Sequence, residues 1–295
     1  MRKLFYHLLT LASKVFGTWV FVGISRGIAA GYFLLFPRRV AVGVRFYRAL
    51  FPDQSLRRHL RCTWKQFQNF TSVFLDRYLL QDGVRIDYSF EGRDHLLQAM
   101  RKNEGGILLM THMGNWEVAA HLLQQSLPEL RLMLYMGQRA GDEIEHLQKR
   151  DLKAGGIHVL AVDREGDSPF ALVEAVSFLQ SGGFVSMAGD RIWRRDQRAI
   201  PVRFLGREVR LPEAPHVLAL VSGAPLFIFF ASKTGRRTYH FSVSPPVYVP
   251  AQSRKDRRSA IDRSIQAYAN LMEHQLRRTP FEWYHFEPFL GPKRH

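Results

Sequence analysis

The chain has 295 residues, of which 46% are hydrophobic, so it is long enough to bury the core of one large or two small domains. Its single cysteine, Cys62, excludes an internal disulfide and a cysteine-based metal site. The net charge of +16 indicates an anionic partner, whether a membrane surface, a nucleic acid or an acidic protein or substrate.

The first 80 residues read as helices, and much of the basic charge lies among them. The first 65 residues hold twelve Lys or Arg residues and one acidic residue, Asp53. Basic residues beside an apolar stretch attract anionic lipid headgroups, whereas a nucleic acid needs the charge on a polar groove or helix face. We therefore predict a membrane-associating helical region over residues 1–80 and no nucleic-acid partner.

The apolar run at 15–37 contains one charged residue, Arg26. The run is long enough to span a bilayer, which takes about 20 residues. An arginine at its centre opposes insertion by about 3 kcal/mol. We therefore favour a helix that lies in the membrane interface over one that spans the bilayer.

After a break at 81–83, short β-rich runs alternate with helical ones. Continuous apolar runs at 106–110 and 226–230 are typical of strands covered on both faces. The alternation predicts an α/β domain over residues 81–295, with a mostly parallel central sheet flanked by helices. The predicted strands are 84–90, 106–110, 130–136, 158–162, 184–188 and 225–230, and the predicted helices are 95–101, 116–125, 142–153, 169–181 and 259–277.

The segment 105–117 reads as a buried strand, a tight turn and the start of a helix. His112 would then lie at the carboxyl end of a strand, where open α/β sheets gather their chemistry. With His112 in the turn and Glu117 in the first helical turn, the carboxylate can bind one ring nitrogen. It would fix the tautomer while the other nitrogen takes a proton. We predict His112 as a catalytic base that Glu117 orients.

The H-x4-[DE] spacing of His112 and Glu117 is weak evidence by itself. It recurs at His146 with Asp151 and at His158 with Asp163. The 142–153 helix makes His146 a solvated residue, and Asp163 would lie beyond the far end of a strand from His158. The 105–117 segment alone combines a strand, a glycine turn and a helix.

Five ordered blocks resemble the lipid A biosynthesis acyltransferases, the lauroyl/myristoyl branch of the lysophospholipid acyltransferase superfamily. This resemblance implies transfer of a fatty acyl group from an acyl thioester, carried by acyl carrier protein or coenzyme A, to a hydroxyl of a glycolipid or lysolipid. It also implies a place on the cytoplasmic face of the inner membrane. The blocks are 112–117, 184–191, 200–212, 222–225 and 280–286.

Further residues would bind substrate. On geometry alone, Asn115 or a backbone amide near Gly114 is a candidate to stabilise the oxyanion. Arg164 and Arg191 would bind phosphates of donor or acceptor, since the guanidinium fork suits them. Asp190 would orient an arginine or a sugar hydroxyl, and its alternative is a structural ion pair at a strand end. No cofactor or metal is implied, because the histidines lack ligand spacing and no glycine-rich phosphate loop is present.

An arginine-rich stretch after Asp190 would form a rim for a phosphorylated lipid or for an acidic carrier protein, and the strong basicity favours that protein as donor. A solvated basic face is the alternative. The stretch holds Arg191, Arg194, Arg195, Arg198, Arg203, Arg207 and Arg210. Two other functions stay open, namely a non-enzymatic basic protein that binds a membrane or nucleic acid, and a hydrolase that uses the same base on water.

Overall fold

The computed structural model describes residues 2–137, 158–162, 169–192, 197–251 and 253–291. Its first part is helical, as predicted. Pro37 opens one helix at a position where its missing N–H is not needed, and Ser55 caps another by accepting the backbone N–H of Arg58. The helices are α1 (Arg2–Phe16), α2 (Thr18–Leu35), α3 (Pro37–Leu50) and α4 (Leu56–Gln81).

The remaining chain alternates strands and helices, so the predicted pattern is confirmed in the described ranges. The strands are β1 (Asp87–Glu91), β2 (Gly106–Gly114), β3 (Leu132–Gly137), β4 (His158–Val162), β5 (Phe184–Ala188), β6 (Ala199–Phe204), β7 (Arg207–Pro212), β8 (Leu226–Gly235) and β9 (Thr238–Val243). The helices are α5 (Arg93–Arg101), α6 (Trp116–Ser126), α7 (Pro169–Gln180), α8 (Ala214–Ser222) and α9 (Arg257–Arg278). The predicted helix at 142–153 lies outside the described residues.

The central sheet has the strand order β1-β9-β8-β2-β5-β3-β4 within the described chain. Its neighbouring strands pair in parallel except β8 and β9, which pair antiparallel. The mostly parallel sheet is therefore confirmed. The sequence reasoning missed β9, α8 and the separate hairpin of β6 and β7, whose two-residue turn has positive φ at Leu205 and Gly206.

Both faces of the sheet are covered, which explains the continuous apolar run in β2. Ile107 and Leu109 point into a core shared with α7, α8 and α9, while Leu108 points into a second core with α5 and α6. Burial on both faces needs apolar side chains at successive positions. This arrangement leaves the carboxyl ends of β2 and β5 side by side.

A buried polar contact joins α4 to the sheet. Asp76 of α4 accepts hydrogen bonds from Nζ of Lys233 on β8 and from the hydroxyl of Tyr239 on β9, at 2.7 and 2.5 Å. Asp76 has no exposed surface. The N-terminal helices and the sheet therefore share a tightly packed boundary. The division at residue 80 stays a prediction.

Candidate active site

His112 lies near the carboxyl end of β2, in extended backbone rather than in the turn we expected. Its imidazole keeps 19% of its surface exposed. The pairing of β2 with β8 shifts register between Met110 and Gly114. Gly114 has a φ of +74°, and a Cβ there would collide with the carbonyl oxygen of Ala231. Glycine is therefore required where the strand gives way to α6.

Asp190 is the carboxylate on the ring of His112. It follows β5, the parallel neighbour of β2, and it is completely buried. Oδ1 lies 2.7 Å from Nδ1 of His112, and Oδ2 accepts the backbone N–H of His112 at 2.8 Å. Oδ2 also accepts the indole N–H of Trp283 at 2.8 Å. Both carboxylate oxygens are thus held by donors.

The charge state of Asp190 determines the tautomer of His112. Burial raises the pKa of Asp190 and is the largest influence on it, but the charge of His112 and the hydrogen bonds from His112 and Trp283 together outweigh burial. The pKa of Asp190 therefore lies below its ordinary value, and the group is ionised at neutral pH. Because a carboxylate only accepts, Nδ1 of His112 carries the shared proton. Nε2 is then the nitrogen that can act as a base.

Glu117 forms a buried ion pair with α4. Its Oε1 lies 3.2 Å from Nε of Arg77 on α4, and both side chains are buried. Asn115 caps α6, which starts the helix at Trp116 and directs Glu117 of the first turn toward α4. The carboxylate on Nδ1 of His112 is therefore Asp190, and the orienting role of Glu117 stays a prediction.

Asn115 also has its hydrogen-bonding groups engaged within the fold. Its Oδ1 accepts the backbone N–H groups of Glu117 and Val118 at 3.2 and 3.3 Å, as a helix cap does. Its Nδ2 donates to the carbonyl of Val73 on α4 at 3.2 Å. The side chain is almost completely buried. Its side chain therefore supports the architecture of the turn, and its role at the oxyanion stays a prediction.

Arg191 lies beside the His112–Asp190 pair. One of its Nη atoms donates to the carbonyl of Tyr284 at 2.8 Å, and the residue is half-buried. Arg164 lies outside the described residues, as do Arg194 and Arg195 of the arginine-rich stretch. Arg203 and Arg210 are exposed on the β6–β7 hairpin.

Trp283 and His285 lie close to the His112–Asp190 pair, and the sequence analysis gave them no role of their own. Both line a small cleft between α3 and the segment after α9, with Arg45 among its other walls. Burial lowers the pKa of His285 to about 4, although the charge of Asp190 opposes this. His285 is therefore neutral at pH 7. The sequence signal that could have identified these two residues is their place in the 280–286 block of the family resemblance.

The protein therefore has an α/β fold, with a paired imidazole and carboxylate at the carboxyl ends of two parallel strands of its sheet. A family model of the bacterial lipid A biosynthesis acyltransferases matches residues 48–290. The chain belongs to this family, so the family predicted from the sequence blocks is confirmed. The matched range includes α4 as well as the sheet and the 280–286 block.

The chain is also similar to a phosphatidylinositol mannoside acyltransferase of Mycobacterium tuberculosis, with 25% identity over 205 residues. The match covers 69% of this chain and spans 60% of the length of that relative.

Proposed function

We propose that this protein transfers a fatty acyl group from an acyl thioester to a hydroxyl of a membrane lipid, with Nε2 of His112 as the general base. The observation that carries the proposal is the contact of 2.7 Å between Nδ1 of His112 and Asp190 at the sheet edge. An imidazole that is oriented through Nδ1 and carries no proton on Nε2 is what activation of a hydroxyl requires.

The chemistry follows from the two ring nitrogens. Nε2 takes the hydroxyl proton as the oxygen attacks the thioester carbonyl, and the ionised Asp190 stabilises the imidazolium that forms. This attack forms the C–O bond of a tetrahedral intermediate, whose collapse re-forms the carbonyl and breaks the C–S bond. The imidazolium then returns its proton to the leaving thiolate. General-base assistance of this kind contributes about 10²–10⁴-fold to rate.

Two features support the choice of substrates. The family and the mycobacterial relative are named for lipid A and phosphatidylinositol mannoside, both lipids that carry sugars. We therefore propose a glycolipid or lysolipid acceptor. The net charge of +16 favours acyl carrier protein, which is acidic, over coenzyme A as donor. Arg191, beside the pair, is our candidate for a phosphate of either substrate.

Transfer assays test this proposal directly. Purified protein is incubated with labelled acyl carrier protein or labelled acyl-coenzyme A and a total membrane lipid extract, and the labelled product is identified. We expect His112→Ala to lower the rate of ester formation by about 10²–10⁴-fold. His274→Ala is the matched control, because His274 is exposed on α9.

Two outcomes would overturn the proposal. One is transfer by His112→Ala at the wild-type rate. The other is release of free fatty acid without an acceptor as fast as turnover, which would make the protein a hydrolase.

The α1 and α2 helices support a membrane surface as partner. Within the described residues, α2 is the one helix long and apolar enough to cross a bilayer. Large apolar side chains of both helices nevertheless face solvent, a pattern that fits a lipid surface better than a soluble monomer. The most exposed are Leu8, Leu11, Val15, Phe16, Trp19, Leu34 and Leu35.

The packing of α2 favours a helix that lies in the interface. Its Phe21 stacks on Tyr78 of α4 at 5.5 Å, and its Phe33 meets Phe67 of α4 at 5.6 Å. α2 therefore packs along α4, which carries several arginines and is itself joined to the sheet through Asp76. A spanning α2 would have to leave α4 or draw its charges into the bilayer. We propose that α1 and α2 lie flat on an anionic membrane.

Flotation with vesicles tests the membrane proposal. We expect binding to vesicles that contain anionic lipid, weaker binding at high salt, and release by alkaline carbonate. Replacing Trp19, Leu34 and Leu35 by serine should reduce flotation, whereas Val221→Ser, at an exposed apolar position on α8, should not. Resistance to carbonate extraction would instead indicate a spanning helix.

A further inference from the structure

A short segment after α9 runs beside the end of β2. Trp283 forms an antiparallel bridge with Met113. The backbone N–H of Gly114 donates to the carbonyl of Glu282 at 2.7 Å, and the N–H of Tyr284 donates to the carbonyl of His112 at 3.1 Å. Residues 282–284, which we call the clamp segment, thereby hold the backbone on both sides of the catalytic histidine.

The clamp segment also holds the carboxylate that orients His112. The indole N–H of Trp283 donates to Oδ2 of Asp190 at 2.8 Å. Oδ2 receives the backbone N–H of His112 as well, while Oδ1 faces Nδ1. A carboxylate fixed at both oxygens cannot rotate away from the imidazole.

The helix α4 anchors the clamp segment from the other side. The amide nitrogen of Gln66 donates to the carbonyl of Trp283 at 2.5 Å, and that of Asn69 donates to Oε1 of Glu282 at 3.0 Å. Gln66 is almost fully buried. A continuous set of hydrogen bonds therefore runs from α4 through Trp283 and Asp190 to Nδ1 of His112.

We propose that Trp283 is a positioning residue for catalysis, acting through Asp190, and that Gln66 of α4 holds Trp283 in place. This inference rests on the proposed function, because it assumes His112 as the base. The indole N–H keeps Oδ2 in place, so that Oδ1 stays on Nδ1 and Nε2 stays directed at the substrate. It follows that α4 is part of the catalytic unit as well as the support of α1 and α2.

Packing alone is the competing explanation, since the indole ring contacts several aromatic rings. The ring centroids of Phe46, Phe204 and Phe289 lie 5.2, 5.7 and 4.9 Å from that of Trp283. The packing and the hydrogen bond can be separated, because Trp283→Phe keeps most of the apolar contact and removes the N–H. Phe204→Leu weakens the aromatic packing and leaves the indole N–H in place.

The pH profile of transfer discriminates between the two explanations. Without the indole donor the carboxylate becomes more basic, which both strengthens its hold on the imidazolium and favours its own protonation. With either effect, the His112–Asp190 pair keeps an additional proton up to a higher pH. For Trp283→Phe we expect kcat to fall about 10–100-fold with little change in KM, because Oδ2 is no longer held and Nε2 is less often aligned with the substrate. We also expect the acidic limb of the profile to move to higher pH.

Two matched pairs of variants complete the experiment. Phe204→Leu should leave the acidic limb in place whatever its thermal stability. Gln66→Met should move the limb in the same direction as Trp283→Phe but by less. The amide nitrogen of Gln68 donates to the backbone carbonyl of Arg26 on α2 at 3.4 Å. Gln68→Met should therefore not move the acidic limb.

The inference is overturned if Trp283→Phe keeps the wild-type kcat and limb, or if its loss of rate only follows its loss of folded protein. His112→Ala in the same assay keeps the two proposals apart. Full activity of His112→Ala would contradict the proposed function itself. An inactive His112→Ala together with an unaffected Trp283→Phe would contradict the positioning role alone.

Discussion

Asp190 and Asp76 are both aspartates without exposed surface, yet they lie in different surroundings. Asp190 sits at the sheet edge and accepts two N–H groups of His112 and the indole N–H of Trp283. Asp76 sits between α4 and the sheet, where it accepts from Lys233 and Tyr239. The first lies against a partly exposed imidazole, and the second is enclosed between packed elements.

Burial is the largest influence on the pKa of both groups, and it raises both. At Asp190 the charge of His112 and the donated hydrogen bonds exceed this effect, so the pKa falls below its ordinary value. At Asp76 the charge of Lys233 and the bonds from Lys233 and Tyr239 only partly offset burial, so the pKa is raised. Burial alone therefore does not decide how a carboxylate behaves; the donors around it do. One aspartate pairs with the proposed base, and the other joins two parts of the fold.

The largest effect on activity is expected from Asp190→Asn. An amide in place of the carboxylate can present its NH₂ to Nδ1, which favours the wrong tautomer of His112 and stabilises no imidazolium. By analogy with the serine protease triad, kcat should fall about 10⁴-fold. Steady-state transfer kinetics and circular dichroism measure rate and fold together. A variant within tenfold of wild type would mean that Asp190 does not orient the base.

Asp76→Asn should show the opposite pattern, with stability lost and chemistry retained. Removing one partner of a buried ion pair leaves Lys233 uncompensated, at a cost of about 3–5 kcal/mol in the free energy of unfolding. Denaturant titration gives this value, and transfer per folded molecule should stay near that of the wild type.

The double variant Asp76→Asn/Lys233→Met is the control for this stability effect. It removes both charges and should recover much of the loss, because a buried pair replaced together is often tolerated. No recovery in the double variant would mean that charge pairing is not what Asp76 contributes.

A smaller effect on stability is expected from His216, which is buried as a neutral imidazole and not as a charged partner of an ion pair. Burial lowers its pKa to about 3, and its Nδ1 lies 2.8 Å from the hydroxyl of Ser264. The unfolded chain binds a proton near pH 6.5 and the folded chain does not, so this contribution is complete above that pH and is lost as pH falls. Between pH 7 and 5 the free energy of unfolding should drop by about 2 kcal/mol.

The measurement is denaturant unfolding at the two pH values. His216→Leu combined with Ser264→Ala should have a smaller pH dependence than the wild type by that amount. His274→Gln, at an exposed histidine, should keep the wild-type dependence. His285, whose pKa is lowered to about 4, adds a contribution of the same sign that remains in both variants. An unchanged dependence in the double variant would contradict the burial of a neutral His216.

The sequence predicted those parts of the site that depend on short stretches of chain. The apolar run of β2 predicted a strand covered on both faces, and the residues after it predicted a turn and a helix, which placed His112 at a strand end. Trp283 and His285 belonged to a block that the family resemblance identified. Their polar roles were not visible, because the aromatic content around them indicates packing equally well.

The partner of His112 could not be found by spacing, for a physical reason. Glu117 lies five residues away along the chain, but the Asn115 cap directs it toward α4. Asp190 lies 78 residues away. It reaches the imidazole because β5 pairs with β2, and strand order within a sheet depends on packing and connection that local patterns do not encode.

The amino-acid sequence by itself determined the helical first part, the alternation of strands and helices, the mostly parallel sheet, the family and the position of the histidine. Each of these depends on hydrophobic period, turn residues or ordered blocks, which act over short stretches of chain. The tertiary structure alone decided which carboxylate meets His112, that Trp283 and Gln66 support it, and that α2 packs along α4. These contacts join residues far apart in the chain, and only the folding of the whole chain brings them within hydrogen-bond distance.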